Sequence, residues 1–352
     1  MEIKQICIVG PMPPPVHGAS ALARLLSLHL GAVEIRSNIT HQNSERFSMF
    51  RKICMLFRSL LTVNSGKFVV FTASELPGKF RDLVIILILL IRKRDLYVCI
   101  HNNPFYSDDL LGSIHKYLAK FYTIIYSYRS PEFEDCLNSG FRVKVIKNAV
   151  PEESDINCFM KRRQLAKNGF DGPIKFLICA NPHPFKNIQF TIDALRKLKT
   201  DWTLDVIGAL DSQFARDLVA NNQSANIKFL GAVHGTPKFK MLADSDILLH
   251  LSTNEEFPLI QLEALLMETP FISLLGVGGL YQDLPESIKN KYFFSSGTIA
   301  NGGLDAIVNS LRCDMSVVKE AKDFYLKNHG LEKMINEYSE VLRDNVTDNL
   351  SL

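Results

Sequence analysis

Two glutamates eight positions apart are the residues of this sequence best suited to binding a ligand. Glu255 lies in a polar loop after the apolar run 247–251, and Glu263 lies about a turn and a half into the helical pattern that follows. The backbone N–H groups of Leu259 and Ile260 open that helix, where the positive end of the helix dipole favours an anion such as a phosphate. Carboxylates accept hydrogen bonds from hydroxyls but repel phosphate, so the combination indicates a phosphate ligand that also carries sugars. A nucleotide sugar has these groups.

Lys186 and His101 are two further candidates, each placed directly after a predicted strand. Lys186 precedes the predicted helix 189–198, where a cation opposes the helix dipole unless it contacts an anion. We therefore expect Lys186 to contact a diphosphate. His101 follows the predicted strand 96–100 and could bind a sugar hydroxyl or move a proton near neutral pH. A purely structural histidine remains the alternative.

These residues require a scaffold, and the alternation of strands and helices along the chain predicts one. Strands are predicted over 3–9, 32–35, 68–71, 96–100, 122–126, 143–146, 174–180, 204–207, 227–230, 247–251 and 270–274. Helices are predicted over 19–30, 44–61, 79–91, 110–119, 189–198, 238–243, 304–311, 317–327 and 331–343. This alternation indicates an α/β protein with doubly wound parallel sheets, in which ligands bind at the carboxyl ends of the strands.

Length and composition narrow the class of protein. A chain of 352 residues exceeds one ordinary core, so two domains are expected, and 47% hydrophobic with 22% charged residues excludes disordered and collagen-like classes. Seven cysteines without a C-x-x-C pair argue against a disulfide framework or a zinc site. The N-terminus lacks a signal-peptide pattern, and the longest uncharged apolar run, 83–91, is too short to span a bilayer. We expect a cytoplasmic protein.

Charge is distributed unevenly between the two parts of the chain. Residues 1–150 carry 19 Lys and Arg against 11 Asp and Glu, whereas the remainder carries 21 against 26. The basic amphipathic stretch 47–61 could rest on anionic lipid, or it could be an ordinary solvated helix face. The basic residues are dispersed and do not form the pattern of a DNA recognition helix, so we expect no nucleic-acid partner.

The stretch 254–264 resembles the acidic motif of family 4 glycosyltransferases, which have the GT-B fold. In that family the first glutamate of the motif contacts the hydroxyls of the donor sugar and the second holds the nucleotide ribose. The resemblance assigns these roles to Glu255 and Glu263, and it places Phe257, Leu259 and Ile260 in the donor-binding motif. Glu256 departs from the pattern, because the family usually has glycine there.

Other stretches extend the resemblance to nearly the whole chain. The string at 13–20 resembles the N-terminal loop of bacterial members, which approaches the acceptor and the donor phosphates, and it maps to His17 and Gly18. Family members often carry a histidine at the place of His101. Lys186 matches a lysine that contacts the donor diphosphate, whereas Asn181 stands where an arginine is usual.

The resemblance also implies a domain organisation. Residues 1–150 would form a Rossmann-like acceptor domain, and 151–330 a Rossmann-like donor domain in which Gly208 lies near the base. Residues 331–352 would form a helix that returns to the first domain, and the two domains would face a central cleft.

The implied activity is retaining, metal-independent transfer of a sugar. The donor would be a UDP- or GDP-linked sugar, no cofactor would be required, and the acceptor would be a lipid-linked saccharide. The role would lie in surface polysaccharide synthesis, of O-antigen or capsule, at the inner face of the membrane, where the protein could contact anionic lipid.

Two alternative functions remain open. Asn181 and Glu256 depart from the motif, so the chain could be a non-catalytic scaffold or binding subunit of a polysaccharide-assembly complex. A GT-B epimerase or phosphorylase is the other alternative, but the sequence lacks the additional catalytic carboxylates or phosphate-site lysines that it would need. Product formation that depends on the donor separates transfer from the scaffold role.

Overall fold

The computed structural model describes residues 5–13, 18–37, 46–72, 76–100, 110–150, 172–313 and 316–343. The chain divides into two compact units, one formed by Met1–Ala149 with Leu331–Leu352 and the other by Val150–Gly330. None of the helices within the described ranges is both long enough and apolar enough to cross a lipid bilayer.

The first unit is built on a six-stranded parallel sheet with the strand order β2-β1-β3-β4-β5-β6. Its strands are β1 (Ile6–Gly10), β2 (Val33–Arg36), β3 (Lys67–Phe71), β4 (Asp95–Ile100), β5 (Thr123–Tyr126) and β6 (Val143–Val145). The helices between them are α1 (Gly18–Leu30), α2 (Arg46–Thr62), α3 (Leu76–Ile91), α4 (Leu110–Leu118) and α5 (Pro131–Asn138). The strand order reverses between β1 and β3, as in other doubly wound sheets.

The second unit repeats this architecture with a six-stranded parallel sheet in the order β12-β11-β10-β7-β8-β9. Its strands are β7 (Ile174–Cys179), β8 (Trp202–Ile207), β9 (Ile227–Gly231), β10 (Ile247–His250), β11 (Phe271–Leu274) and β12 (Phe293–Phe294). Its helices are α6 (Ile188–Leu195), α7 (Gln213–Asn221), α8 (Thr236–Asp244), α9 (Leu259–Leu266), α10 (Gly279–Asp283), α11 (Glu286–Tyr292), α12 (Leu304–Cys313) and α13 (Ser316–His329). Short helical turns lie at Ala119–Phe121, Pro184–Lys186, Ser296–Thr298 and Ile299–Gly303.

The last helix, α14 (Leu331–Arg343), packs in the first unit. Its Met334, Tyr338 and Leu342 are buried in one hydrophobic cluster with residues of α1 and the sheet. The hydroxyl of Tyr338 lies 3.5 Å from the thiol of Cys99 on β4. A second cluster holds residues of α2, α3, α4 and α5 against the sheet. The two clusters give the first sheet helices on both faces, which an all-parallel sheet requires.

The structure agrees with the predicted α/β class and its alternating elements, but it differs in local detail. Four helices, α5, α7, α10 and α11, and the short strand β12 were missing from the prediction. Helices α5 and α7 each begin at a serine N-cap: Ser130 accepts the N–H of Phe133, and Ser212 accepts the N–H of Ala215, both at 3.1 Å. Pro258 lies at the N-cap of α9, where its ψ of 106° is extended.

Candidate functional site

Lys186 and Glu255 meet where the strand order of the second sheet reverses. Lys186 lies in the loop after β7 and Glu255 in the loop after β10, and these two strands are neighbours. Three hydrogen bonds join the loops at the carbonyl of Phe185, which accepts from the Thr253 N–H at 2.8 Å, the Ser252 hydroxyl at 3.1 Å and the Thr253 hydroxyl at 3.3 Å. The carboxyl ends of strands at such a reversal are the usual ligand site of doubly wound sheets.

Glu255 is a largely buried carboxylate with two cationic or donor partners. Lys186 Nζ donates to its Oε1, and His250 Nε2 lies 3.2 Å from the same oxygen. Burial alone would raise the pKa of Glu255, but the hydrogen bond of His250, the charge that His250 carries at the acidic pH where Glu255 titrates, and the charge of Lys186 outweigh it and lower the pKa to about 2. The group is therefore an ionised acceptor at neutral pH.

His250 is held from behind by a chain of buried polar groups. Its Nδ1 lies 3.0 Å from Gln261 Nε2 on α9, and the same amide nitrogen donates to the hydroxyl of Ser273 on β11 at 3.0 Å. The Ser273 hydroxyl donates to the carbonyl of His250 at 3.1 Å. The sequence interpretation missed His250 because it counted the residue within an apolar run. The available signal was a polar residue at the last position of a buried strand.

Glu263 forms a second ion pair in the same unit. Lys238 in the first turn of α8 places Nζ 2.6 Å from Glu263 Oε1, and both side chains are mostly buried. The charges of Glu263, Lys238 and Lys186 all act on the thiol of Cys179 at the end of β7, whose pKa is raised by burial to about 12. Both ion pairs therefore lie around the carboxyl end of β7. Lys238 was not predicted.

The start of α9 contributes backbone donors beside Glu255. The N–H of Gln261 reaches the carbonyl of Pro258 at 3.1 Å, whereas within the described ranges the amides of Leu259 and Ile260 donate to no backbone carbonyl. The glycine-rich loop before α10 packs on this segment. Gly278 has a φ of +85°, and a Cβ there would lie 3.0 Å from the Pro258 ring, so glycine permits the close approach.

Asn181 and Gly208 pack together at the ends of β7 and β8. The side-chain carbonyl of Asn181 accepts the N–H of Ala209 at 2.8 Å. A Cβ on Gly208 would lie 2.1 Å from the carbonyl oxygen of Ala180, so only glycine lets these two strand ends approach. Asn181 thus joins two loops by hydrogen bonding and contributes no positive charge to the site.

The remaining predicted residues lie in the interior of the second unit, in the first unit or outside the described residues. Phe257 is buried and its ring lies 5.4 Å from that of His329, so it packs in the interior of the second unit. Gly18 is the exposed first residue of α1 in the first unit. His17 and His101 lie outside the described residues.

No set of metal ligands is found among the described residues. Within those ranges no three His, Cys, Asp or Glu side chains cluster as ligands of one ion would. The Asp-x-Asp string at 244–246 lies at the amino end of β10, where Asp246 Oδ2 accepts the N–H of Lys175 at 2.8 Å. That aspartate therefore ties the start of β10 to the start of β7.

Comparison with known proteins gives a match within the second unit. Residues 173–312 match the family model described as glycosyl transferases group 1. No curated protein sequence matches the chain. The ion pairs of Lys186 with Glu255 and of Lys238 with Glu263 both lie inside the matched stretch.

Solved structures match both units. Alr3699/HepE of Anabaena, solved with UDP and glucose, is 15% identical at a TM-score of 0.70, and the match covers 96% of this chain and 99% of that one. Sucrose-phosphate synthase of Thermosynechococcus elongatus is 15% identical at 0.70, covering 97% and 98%. The lipopolysaccharide outer core galactosyltransferase WaaB is 13% identical at 0.61, covering 96% and 99%. These matches and the two six-stranded sheets confirm the predicted GT-B fold.

The low pKa of Glu255 predicts a specific dependence of stability on pH. A carboxyl group whose pKa falls from 4.5 to about 2 on folding stabilises the protein above about pH 4.5, and this contribution is lost as the pH falls towards 2. The shift corresponds to about 3 kcal/mol. We expect Glu255→Gln to lower the free energy of unfolding at about pH 5.5, and the difference from wild type to shrink at about pH 3.5.

Urea unfolding at several pH values measures this difference. Glu286→Gln, which removes an exposed ion pair with Lys289, is the control and should change stability by less than about 1 kcal/mol. A difference between wild type and Glu255→Gln that stayed constant or grew towards low pH would contradict the assignment.

Proposed function

We propose that this protein is a glycosyltransferase that takes its sugar from a nucleotide-sugar donor bound by the second unit. The observation that carries the proposal is the meeting of Lys186 with Glu255 at the reversal of strand order. A lysine and a carboxylate beside open helix amides suit a ligand that is part diphosphate and part sugar. The match of 173–312 to glycosyl transferases group 1 supports this assignment.

Each group has a role in binding the donor. Lys186 and the amides of Leu259 and Ile260 contact the diphosphate, Glu255 accepts hydrogen bonds from the sugar hydroxyls, and Glu263 accepts them from the ribose. Lys238, paired with Glu263, supplies the positive charge that an arginine in place of Asn181 would give. A UDP-linked sugar is the first donor to test because Alr3699/HepE of Anabaena was solved with UDP-glucose. A GDP-linked sugar is the other proposed class of donor.

The proposed reaction retains the configuration of the sugar and needs no metal. The bond between the anomeric carbon and the diphosphate oxygen breaks, and the acceptor oxygen bonds to the same face of that carbon. The acceptor proton passes to the departing phosphate oxygen, whose growing negative charge is stabilised by Lys186 and the helix amides. His101 would contact the sugar beside this centre, and the loop with His17 and Gly18 would approach the acceptor and phosphates.

We further propose that the acceptor is a lipid-linked saccharide and that the reaction serves surface polysaccharide synthesis at the cytoplasmic side of a membrane. The fold match to a lipopolysaccharide outer core galactosyltransferase supports this choice of acceptor and role. A lipid-linked acceptor lies in a membrane, so the protein would have to reach the membrane surface to bind it.

One exposed surface of the first unit suits contact with anionic lipid. Helix α3 shows an apolar stripe to solvent, with Phe80 58%, Leu87 38% and Ile91 80% exposed. A contiguous apolar patch on the surface of a monomeric protein often marks a site that binds another protein or a membrane. The end of α3 adjoins the end of α2, because Arg92 donates to the carbonyl of Val63 at 3.2 Å.

Exposed basic side chains accompany these two helices. Arg58 on α2 and Lys93 after α3 are exposed, and α2 and α3 contain one acidic residue, Asp82, which is buried and paired with Arg81. An apolar row with basic neighbours and no exposed acid is the pattern of a surface that rests on anionic lipid.

The assigned roles predict that Lys186→Met, which removes a donor to the diphosphate, and Glu255→Gln, which removes a charged acceptor for the sugar hydroxyls, each lower the rate of transfer by about 100-fold or more, as the loss of a preorganised polar contact typically does. The assay measures release of nucleoside diphosphate from UDP-glucose, ADP-glucose and GDP-mannose with a polyprenyl-diphosphate-linked N-acetylglucosamine. Lys322→Met removes a similarly half-buried pair with Glu268 elsewhere in the second unit, and it should keep the wild-type rate within about twofold.

Near-normal turnover in either site variant would contradict the assigned roles. The anomeric proton of the product, read by NMR, should show the configuration of the donor, and an inverted signal would refute the retaining mechanism. Binding of a donor to the wild type without any transfer would favour the non-catalytic scaffold instead, a role to which Asn181 and Glu256 point.

Membrane contact predicts that Ile91→Ser weakens binding to phosphatidylglycerol vesicles by about tenfold or more, since burying an isoleucine side chain is worth about 1.5–3 kcal/mol. Lys93→Glu should weaken it as well, and added salt should reduce that effect. Vesicle flotation provides the measurement. Leu326→Ser, at an exposed leucine of the second unit, is the control. Equal binding of wild type and Ile91→Ser, or no binding by wild type, would exclude this surface.

A further inference from the structure

His250 connects the carboxylate of Glu255 to a buried amide. Its Nε2 lies 3.2 Å from Glu255 Oε1, and its Nδ1 lies 3.0 Å from the amide nitrogen of Gln261. With the amide in this orientation its nitrogen, which is only a donor, faces Nδ1, so Nδ1 accepts and Nε2 carries the proton that is donated to Glu255. The arrangement is that of a neutral imidazole, while Lys186 supplies the positive charge beside the carboxylate.

The Gln261 amide that faces Nδ1 can also hydrogen-bond to the imidazolium form of His250. Gln261 is fully buried, and within the described residues its Oε1 has no hydrogen-bond partner. If the amide turns by half a rotation, Oε1 faces Nδ1 and Ser273, where it can accept a hydrogen bond from an imidazolium N–H and one from the Ser273 hydroxyl, which then turns away from the His250 carbonyl. A backbone carbonyl or a carboxylate in this place would favour one state, whereas an amide accommodates both.

We propose that His250 takes up a proton when a nucleotide sugar binds, and that the imidazolium then holds Glu255 in place of Lys186. The proposal rests on the proposed function, in which the donor diphosphate draws Lys186 away from Glu255. His250 is thus a positioning residue, which keeps Glu255 ionised and aligned with the sugar hydroxyls while Lys186 serves the phosphates.

The charges around His250 support this exchange. Glu255 is only 14% exposed, and a buried carboxylate that loses its cation is strongly destabilised unless another positive charge replaces it. The other groups at this end of β7 do not offer one: Lys238 is paired with Glu263, and Cys179 is a neutral thiol because burial raises its pKa to about 12. His250 touches the carboxylate through Nε2, and protonation of its Nδ1 would place a positive charge there. The proton comes from solvent.

Isothermal titration calorimetry at pH 7 tests the proposal through its dependence on the buffer. The full chain is titrated with UDP-glucose, ADP-glucose and GDP-mannose, whose diphosphates are diesters without a proton to exchange near this pH. For the tightest of the three, the slope of the observed enthalpy against the ionisation enthalpy of the buffer gives the protons taken up. We expect uptake between zero and one proton in wild type.

His250→Gln keeps a donor near Glu255 but cannot ionise, so we expect it to abolish the uptake. His29→Gln, at an exposed histidine of α1 in the other unit, should match wild type. Binding without proton uptake in wild type, or with unchanged uptake in His250→Gln, overturns the inference and leaves the proposed function standing. Binding of none of the three sugars contradicts the proposed function, and the inference fails with it.

The ¹⁵N side-chain spectrum of histidine provides a second measurement on the wild type, in case His250→Gln does not fold. We expect one histidine to change from the neutral tautomer with a bare Nδ1 to an imidazolium when the nucleotide sugar is added. A donor-bound protein in which every histidine keeps its free-state pattern would equally overturn the inference.

Discussion

The burial of one negative charge governs the arrangement of the second unit. Glu255 is held inside the protein and yet ionised, with a pKa lowered to about 2, so compensating groups must surround it. Lys186 comes from the loop after a neighbouring strand, and His250 comes from the strand that leads into the acidic loop. The hydrogen bonds of the two loops at the carbonyl of Phe185 keep these partners in place.

Close backbone packing at the strand ends makes this meeting of loops possible. Gly208 lets β8 approach the end of β7, and Asn181 fastens that approach by accepting the N–H of Ala209. Gly278 similarly lets the glycine-rich loop lie against Pro258. Asn181 therefore acts as a structural residue at the place where the resemblance leads one to expect an arginine, and the lysines near this end of β7 are paired, Lys186 with Glu255 and Lys238 with Glu263.

The sequence predicted the secondary-structure elements better than it predicted the side-chain pairs around Glu255 and Glu263. Alternating apolar segments determine a doubly wound sheet, and its reversal determines that Lys186 and Glu255 approach each other, although they are far apart in the chain. His250 was missed because its buried position reads as part of an apolar run, and only the fold reveals that Gln261 faces it. Lys238 was missed because helix periodicity does not show which charge lies opposite Glu263.

The most direct test of the account is hydrogen–deuterium exchange of the full chain with saturating UDP-glucose, ADP-glucose or GDP-mannose. The account predicts that one of these sugars slows exchange in peptides that cover 181–187 and 252–263, where Lys186, Glu255 and the start of α9 lie. Protection that left both stretches unchanged, or no protection by any of the three sugars, would contradict the claim that this site binds a nucleotide sugar.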